Sequence, residues 1–123
     1  MKPYLSLVIP AYNEEESINS GSLESVYSYL NKQDYLWEVL VMDDGSRDRT
    51  RELVNDFIYK HKNFKLFSEP HRGKAGTVIA GILKADGDII LFTDMDQATP
   101  IDQVGKLLPK FNEGYDVAIG SRS

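Results

Sequence analysis

Hydrophobic and polar residues along this chain follow two alternating patterns. Short, almost continuous apolar runs are typical of strands that are covered on both faces, as in parallel sheets. Three runs of this kind cover residues 4–9, 37–42 and 88–93, a shorter one covers residues 64–67, and a weaker one covers residues 116–121. The pattern therefore predicts four strands, and the weaker run predicts a fifth.

Between these runs, apolar residues recur at helical spacing. They predict helices between residues 15 and 32, around residues 53–58, at 78–83 and at 104–111. Ser46 or Asp48 is the expected N-cap of the second helix, and Thr99 caps the fourth with Pro100 at its first position. Strands that alternate with helices indicate an α/β fold, a mainly parallel twisted sheet flanked by helices. We expect residues 1–123 to form one domain, the N-terminal part of a longer protein.

Polar and charged loops follow each of the four stronger predicted strands. They cover residues 10–15, 43–46, 68–76 and 94–100. In an open parallel α/β sheet, ligands bind beyond the carboxyl ends of the strands. The sequence therefore predicts a binding site built from these four loops.

Asp94 and Asp96 follow the fourth strand and are two residues apart, so both side chains would point to the same side of an extended segment. Such a pair suits Mg²⁺ or Mn²⁺, with a substrate diphosphate completing the coordination shell. The alternative, on spacing alone, is a solvated turn in which each aspartate caps a backbone amide.

Asp43 and Asp44 open the loop after the second strand. One carboxylate could accept a hydrogen bond from a ribose hydroxyl or a base N–H while the other caps the loop that enters the next helix. A plain Asp-Gly turn with a serine cap is the alternative. Arg72 and Lys74 lie in a glycine-containing loop before a helix, where an anion would be favoured, unless both are solvated cations. His71 beside them is expected to be a surface histidine.

Composition restricts the function classes. The chain has 123 residues, a formal net charge of −5 and no cysteine, so sequence-independent nucleic-acid binding and thiolate chemistry are excluded. No apolar run approaches the roughly 20 residues that span a bilayer. We expect a cytoplasmic protein, in its full-length form at the cytoplasmic face of a membrane. The oligomeric state is not fixed by the sequence.

Four segments in this order, VIPAYNEEESI, EVLVMDDGSRDRT, HRGKAGTVIAGILKADGDIILFTDMDQATPI and VAIGSR, resemble the family 2 glycosyltransferases. The resemblance implies the Rossmann-like A-type glycosyltransferase (GT-A) fold. Within that family, the chain is most similar to polyprenyl-phosphate sugar transferases of the dolichyl-phosphate glucose or mannose synthase type. The RGKAG loop, the ATP after the aspartates and the GSR near the end carry this closer resemblance.

The resemblance also implies a role for each matching residue. Asp94 and Asp96 would be catalytic through a bound Mg²⁺ or Mn²⁺, with Gln97 as a further ligand, although mannose-type enzymes carry their glutamine one position later. Arg122 would approach the donor diphosphate or the acceptor phosphate. The remaining residues would bind the nucleotide sugar: Pro10, Ala11, Tyr12, Glu14, Asp43 or Asp44, Arg72, Lys74 and Asp94.

The implied reaction is the inverting transfer of a hexose from a nucleoside diphosphate, UDP in preference to GDP, to polyprenyl or dolichyl phosphate. A donor-binding fragment without turnover and a transferase to a saccharide are the alternatives. A phosphohydrolase of the haloacid-dehalogenase type is disfavoured, because Ala98 stands where its D-x-D-x-[TV] motif needs Thr or Val. A dinucleotide-binding domain is disfavoured because the first strand leads into PAYNEE instead of a glycine-rich turn.

Overall fold

The computed structural model describes residues 2–95, and within this range the strands form one parallel sheet. The strands are β1 (Leu5–Ala11), β2 (Trp37–Asp43), β3 (Phe64–Ser68) and β4 (Ile89–Phe92), in the order β3-β2-β1-β4. The predicted α/β architecture is confirmed. The predicted fifth strand at 116–121 and the helix at 104–111, with its Thr99 and Pro100 start, lie outside the described residues.

Helices occupy the connections between the strands. They are α1 (Glu15–Asn19), α2 (Ser22–Leu30), α3 (Thr50–Lys60) and α4 (Lys74–Lys84). The segment predicted as helical between residues 15 and 32 is divided, because Gly21 has a φ of 99°, a left-handed conformation that ends one helix before the next begins. None of the helices within residues 2–95 is long and apolar enough to cross a membrane.

Asp48 and Ser46, the two residues predicted to cap α3, make different contacts in the structure. Asp48 Oδ1 accepts the N–H of Thr50 at 2.9 Å, so this carboxylate does satisfy a first-turn amide. Ser46 does not cap α3; its Oγ accepts the N–H of Asn13 at 2.9 Å instead. The N-cap position itself is Arg49, so the prediction is wrong for both residues. Asp48 binds the first-turn amide from one residue earlier, and Ser46 binds the loop after β1.

The sheet is covered by helices on both faces. Alternate strand residues point to opposite faces, so each strand contributes to two apolar clusters. The cluster beneath α4 contains Val8, Leu40 and Met42, with Phe67, Ile90 and Phe92 half-buried around it. The cluster beneath α1, α2 and α3 is larger, and its buried members include Leu5, Leu7, Ile9, Ile18, Leu23, Val26, Leu30, Val39, Val41, Val54, Phe64 and Leu91.

α4 packs directly against the sheet at Gly81. A β-carbon at this position would lie 2.5 Å from Val8 Cγ1 and 3.0 Å from Met42 Cγ, so no larger side chain fits without movement of the helix or the strands. The missing side chain thus fixes how closely α4 approaches β1 and β2.

A buried carboxylate organises the amino-terminal half of the sheet. Glu38 of β2 accepts hydrogen bonds from Ser6 Oγ at 2.6 Å, the N–H of Asp86 at 2.8 Å and Lys65 Nζ at 2.9 Å. Burial alone would raise the pKa of Glu38, but these hydrogen bonds and the Lys65 charge outweigh it, so that the pKa lies below its usual value. Glu38 thereby links three strands to the loop that follows α4.

The close contact at Gly81 generates a first prediction. Gly81→Ala should lower the free energy of unfolding by about 1–3 kcal/mol, because the added methyl group overpacks Val8 and Met42. Urea denaturation measures the effect. The matched control is Gly76→Ala in the same helix, where the new β-carbon meets only the flexible Arg72 side chain. Stabilisation of the protein by Gly81→Ala would contradict the packing described.

The Glu38 network generates a prediction about pH. Because the folded pKa is lowered, the stabilisation is complete above the unfolded pKa of about 4.3 and is lost as the pH falls through the folded value. Glu38→Gln should therefore lower the free energy of unfolding by about 1–3 kcal/mol at pH 7, and by less at pH 3. Asp56→Asn, at an exposed position of α3, is the control in the same urea titrations. An equal loss at both pH values would contradict this account.

Candidate functional site at the carboxyl edge of the sheet

The carboxyl ends of the strands and the loops after them meet at one edge of the sheet. Ala11 at the end of β1 is in register with Asp43 at the end of β2, which is in register with Ser68 at the end of β3. The hydrogen bond from the Asp44 N–H to the Ala11 carbonyl, 2.8 Å long, extends the pairing of β1 and β2 beyond the strands. This register brings together the ends of β1, β2 and β3, whereas most of the predicted fourth loop, residues 94–100, lies outside the described residues.

The loop after β1 is joined to the residues after β2 by side chains for which the sequence predicted no such contact. Asn13 has a φ of 53°, in the left-handed region that asparagine tolerates better than most residues. Its side-chain Oδ1 accepts the N–H of Arg47 at 2.8 Å. The N–H of Glu14 is bound by Thr50 Oγ1 at 2.8 Å and that of Glu15 by Asp48 Oδ2 at 3.2 Å. Asparagine within PAYNEE was the available signal for this turn.

Asp44 holds the loop that leads into α4. Its two carboxylate oxygens accept the N–H groups of Arg72 at 2.8 Å and Gly73 at 3.1 Å, and Oδ2 also lies 3.0 Å from His71 Nδ1. Burial would raise the pKa of Asp44, but the backbone N–H groups, the Thr77 hydroxyl and His71 together lower it. Asp44 thus holds the loop before α4. In the loop that leads from β2 to α3, which one of the two aspartates was predicted to cap, the carboxylate that accepts a backbone N–H is that of Asp43.

Asp43 has a different environment, although it is the adjacent residue. Its side chain is fully buried, and Oδ2 accepts the N–H of Ser46 at 3.3 Å and lies 3.8 Å from Arg51 Nη1. Oδ1 is buried and has no hydrogen-bond partner among residues 2–95. A buried carboxylate oxygen without a partner is costly, so Asp43 has one acceptor to offer to a bound molecule. Arg51, eight residues away in the sequence, carried no local signal of this proximity.

Tyr12 and His71 form an aromatic pair on the outside of this edge. Tyr12 is 41% exposed, and its ring centroid lies 4.6 Å from that of His71. His71 is exposed, as expected of a surface histidine, yet it also contacts Asp44 and therefore borders the site. Pro10 and Ala11, by contrast, are buried within β1. Glu14 is half-buried, and its Oε1 accepts a hydrogen bond from Ser17 Oγ at 3.3 Å.

The two predicted cations are each paired with a carboxylate. Arg72 Nη2 lies 2.9 Å from Glu69 Oε1, three residues earlier in the same loop. Lys74, the first residue of α4, places Nζ 2.5 Å from Asp94 Oδ1 and over the ring of Phe92, 5.9 Å from its centroid. The structure thus brings Lys74 and Asp94 together but directs Arg72 towards Glu69.

A divalent cation is implied by the sequence motif, and Asp94 fits such a group. Its carboxylate is a hard oxygen donor, only 19% exposed and just beyond β4 at the carboxyl edge. Residues 2–95 contain no cluster of three side chains able to hold a metal. The other expected ligands, Asp96 and Gln97, lie outside the described residues, as does Arg122.

Comparison with known proteins relates this geometry to a family. The model of glycosyl transferase family 2 matches residues 6–123 of the chain. A dolichyl-phosphate beta-glucosyltransferase of Trichomonas vaginalis is 37% identical over 131 residues, which cover 98% of this chain and 39% of that protein. The chain therefore spans about two fifths of the length of this curated relative.

Solved structures share the fold. A mannosyltransferase of Pyrobaculum calidifontis in complex with GDP-Man and Mn²⁺ matches with a TM-score of 0.68 and 29% identity, over 87% of this chain and 33% of that one. Glucosyl-3-phosphoglycerate synthase of Mycobacterium tuberculosis, in complex with Mn²⁺, UDP and glucosyl-3-phosphoglycerate, matches with a TM-score of 0.61 and 25% identity, over 86% and 39%. The predicted GT-A fold is confirmed, and the chain belongs to glycosyl transferase family 2.

Proposed function

We propose that this chain binds the donor for an inverting glycosyltransferase that moves a hexose from a nucleoside diphosphate to polyprenyl or dolichyl phosphate. The observation that carries the proposal is the set of groups at the carboxyl edge of the sheet. The Asp43 oxygen that has no hydrogen-bond partner among residues 2–95 lies at the end of β2, and the Lys74–Asp94 ion pair lies beyond β4. One acceptor for a nucleoside, one cation for a diphosphate and one carboxylate for a metal are what a nucleotide sugar requires.

The nucleoside would occupy the edge beside β1 and β2. Asp43 Oδ1 would accept a hydrogen bond from the base or ribose, which satisfies this buried oxygen. The exposed ring of Tyr12 offers an apolar surface to the base or sugar. Pro10, Ala11 and Glu14 would shape the site mainly through the backbone, since Pro10 and Ala11 are buried and Glu14 donates its N–H to Thr50.

The diphosphate would lie near the start of α4. The first turn of a helix leaves backbone N–H groups without intrahelical acceptors, which favours an anion there. Lys74 adds a positive charge at this point, and Arg72 would reach the diphosphate only after release from Glu69. Asp44, which binds the loop backbone, would keep this loop in place.

Asp94 and Asp96, with Gln97, would hold Mg²⁺ or Mn²⁺. When bound, the metal would neutralise negative charge that builds on the departing diphosphate. The catalytic role of the two aspartates is to hold that cation. The Mn²⁺ in two solved relatives supports the choice of metal.

A phosphate acceptor is anionic near neutral pH and needs no base to remove a proton, so positioning by cations is sufficient. Arg122 would supply one such cation. The name of the Trichomonas vaginalis relative supports a dolichyl-phosphate acceptor, which would bring the protein to a membrane surface. A saccharide acceptor is the alternative class.

Uridine is favoured over guanosine as the nucleoside. The relative at 37% identity is named as a glucosyltransferase, and the solved glucosyl-transferring relative contains UDP. The solved mannosyltransferase contains GDP-Man. A glucosyl donor therefore favours UDP, and a direct comparison of the two nucleotides decides between them.

Calorimetric titration with UDP and with GDP, each with Mn²⁺ or with EDTA, tests the proposed donor site. We expect metal-dependent binding of UDP, because the cation links Asp94 to the diphosphate. Asp43→Asn should weaken that binding by about tenfold, the effect of losing a hydrogen bond to a charged acceptor. The experiment measures nucleotide binding and not sugar transfer, because the relative at 37% identity is more than twice as long as this chain.

Two further variants make the result specific. Asp34→Asn removes an exposed carboxylate before β2, at the opposite edge of the sheet, and should leave UDP affinity unchanged. Asp44→Asn should lower the melting temperature, because one of two oxygens that accept backbone N–H groups is replaced. Binding of neither nucleotide by the unmodified protein, or unaltered UDP affinity in Asp43→Asn, would overturn the assignment.

A further inference from the structure

Lys74 lies at a helix position where a positive charge is electrostatically unfavourable. It is the first residue of α4, and α4 has no acidic residue in its first turn. The N-terminus of a helix carries a partial positive charge, so a lysine there is unfavourable unless an anion compensates. In the described structure that anion is Asp94, whose Oδ1 lies 2.5 Å from Lys74 Nζ.

The same oxygen is the group that a divalent cation would bind. An ammonium group at hydrogen-bond distance from Asp94 Oδ1 competes directly with a metal for that lone pair, and its positive charge repels a second cation at close range. Asp94 is largely buried, so solvent screens this competition less than at an open surface. Lys74 itself is about half exposed, so its long side chain has room to turn away.

We propose that Lys74 is a positioning residue that blocks Asp94 until a nucleotide binds. This inference rests on the proposed donor site. In the absence of a diphosphate, Lys74 Nζ is paired with Asp94 Oδ1. When the nucleotide binds, Lys74 Nζ moves to the diphosphate. Asp94 then becomes available to the metal. Binding of the nucleotide and of the metal are thereby coupled through one side chain.

The coupling is reciprocal, as linkage requires. If the nucleotide draws Lys74 away from Asp94, metal affinity rises when nucleotide is bound, and nucleotide affinity rises by the same factor when metal is bound. Removal of the lysine charge should have opposite effects on the two ligands. Metal alone should bind more tightly, and UDP in the presence of metal should bind less tightly.

The test measures free Mn²⁺ by electron paramagnetic resonance during titration of the protein, with and without saturating UDP. Without nucleotide, Lys74→Gln should bind Mn²⁺ about threefold to fivefold more tightly than the unmodified protein, the range expected for loss of one partly exposed ion pair. Lys74→Arg keeps the charge and should retain the original affinity. Lys84→Gln removes the same charge from the last residue of the same helix and should also have no effect.

With UDP present, Lys74→Gln should no longer bind Mn²⁺ more tightly than the unmodified protein. Calorimetry should show weaker UDP binding by this variant. Mn²⁺ affinity in Lys74→Gln that equals or falls below that of the unmodified protein would overturn the inference, as would an equal gain in Lys84→Gln. Thermal denaturation of each variant checks that the fold is retained. A failure of the proposed function is seen separately, as absence of UDP binding to the unmodified protein with Mn²⁺.

Discussion

The site depends on the hydrogen bonds by which Asp44 holds the loop before α4. Both carboxylate oxygens accept backbone N–H groups, from Arg72 and Gly73, and this fixes where α4 begins. Lys74 follows immediately, so its reach towards Asp94 is set by the same two hydrogen bonds. Charge-assisted hydrogen bonds to a buried carboxylate are among the stronger polar interactions in a protein. One side chain of the β2 end therefore positions a cation that belongs to another element.

Residues in and directly after β2 contact α4 or its flanking loops at three points. Asp44, just after β2, binds the loop before the helix, and Glu38 within β2 binds the N–H of Asp86 in the loop after it. Between these two carboxylates, Gly81 lets the helix lie directly on Met42 of β2 and Val8 of β1. Three contacts of different kinds thus act on one helix. A helix held in this way fixes the backbone position of Lys74, from which its flexible side chain reaches Asp94.

The sequence predicts the elements of this fold better than it predicts their contacts. The apolar runs at 37–42 and 88–93 correspond to β2 and β4 within one residue at each end, because burial on both faces leaves a clear pattern. The break at Gly21 was less evident, since an isolated glycine in a helical pattern is often tolerated. Element positions depend on local patterns, and these are visible in the sequence.

The different contacts of Asp43 and Asp44 could not be predicted from the sequence. Two identical, adjacent residues differ in their contacts: Asp43 lies against Ser46 and Arg51, and Asp44 binds the loop before α4. The Lys74–Asp94 pair joins residues twenty positions apart, and it exists only because α4 crosses the sheet at a fixed distance. The motifs predicted a site built from loops at this edge, whereas the contacts of each side chain depend on the packing.

The pairing of charges at this edge has a consequence for binding. Lys74 is paired with Asp94, Arg72 with Glu69, and His71 lies against Asp44. A nucleotide diphosphate with its cation would therefore exchange ion-pair partners at Lys74 and Asp94 and would not meet isolated charges. Such an exchange leaves the Asp94 carboxylate, which is only 19% exposed, with a cationic partner throughout, and a mostly buried charge without a partner would destabilise the fold. It also lowers the net gain from each new contact, because an existing contact is lost. The proposed exchange therefore favours joint binding of metal and nucleotide over tight binding of either one alone.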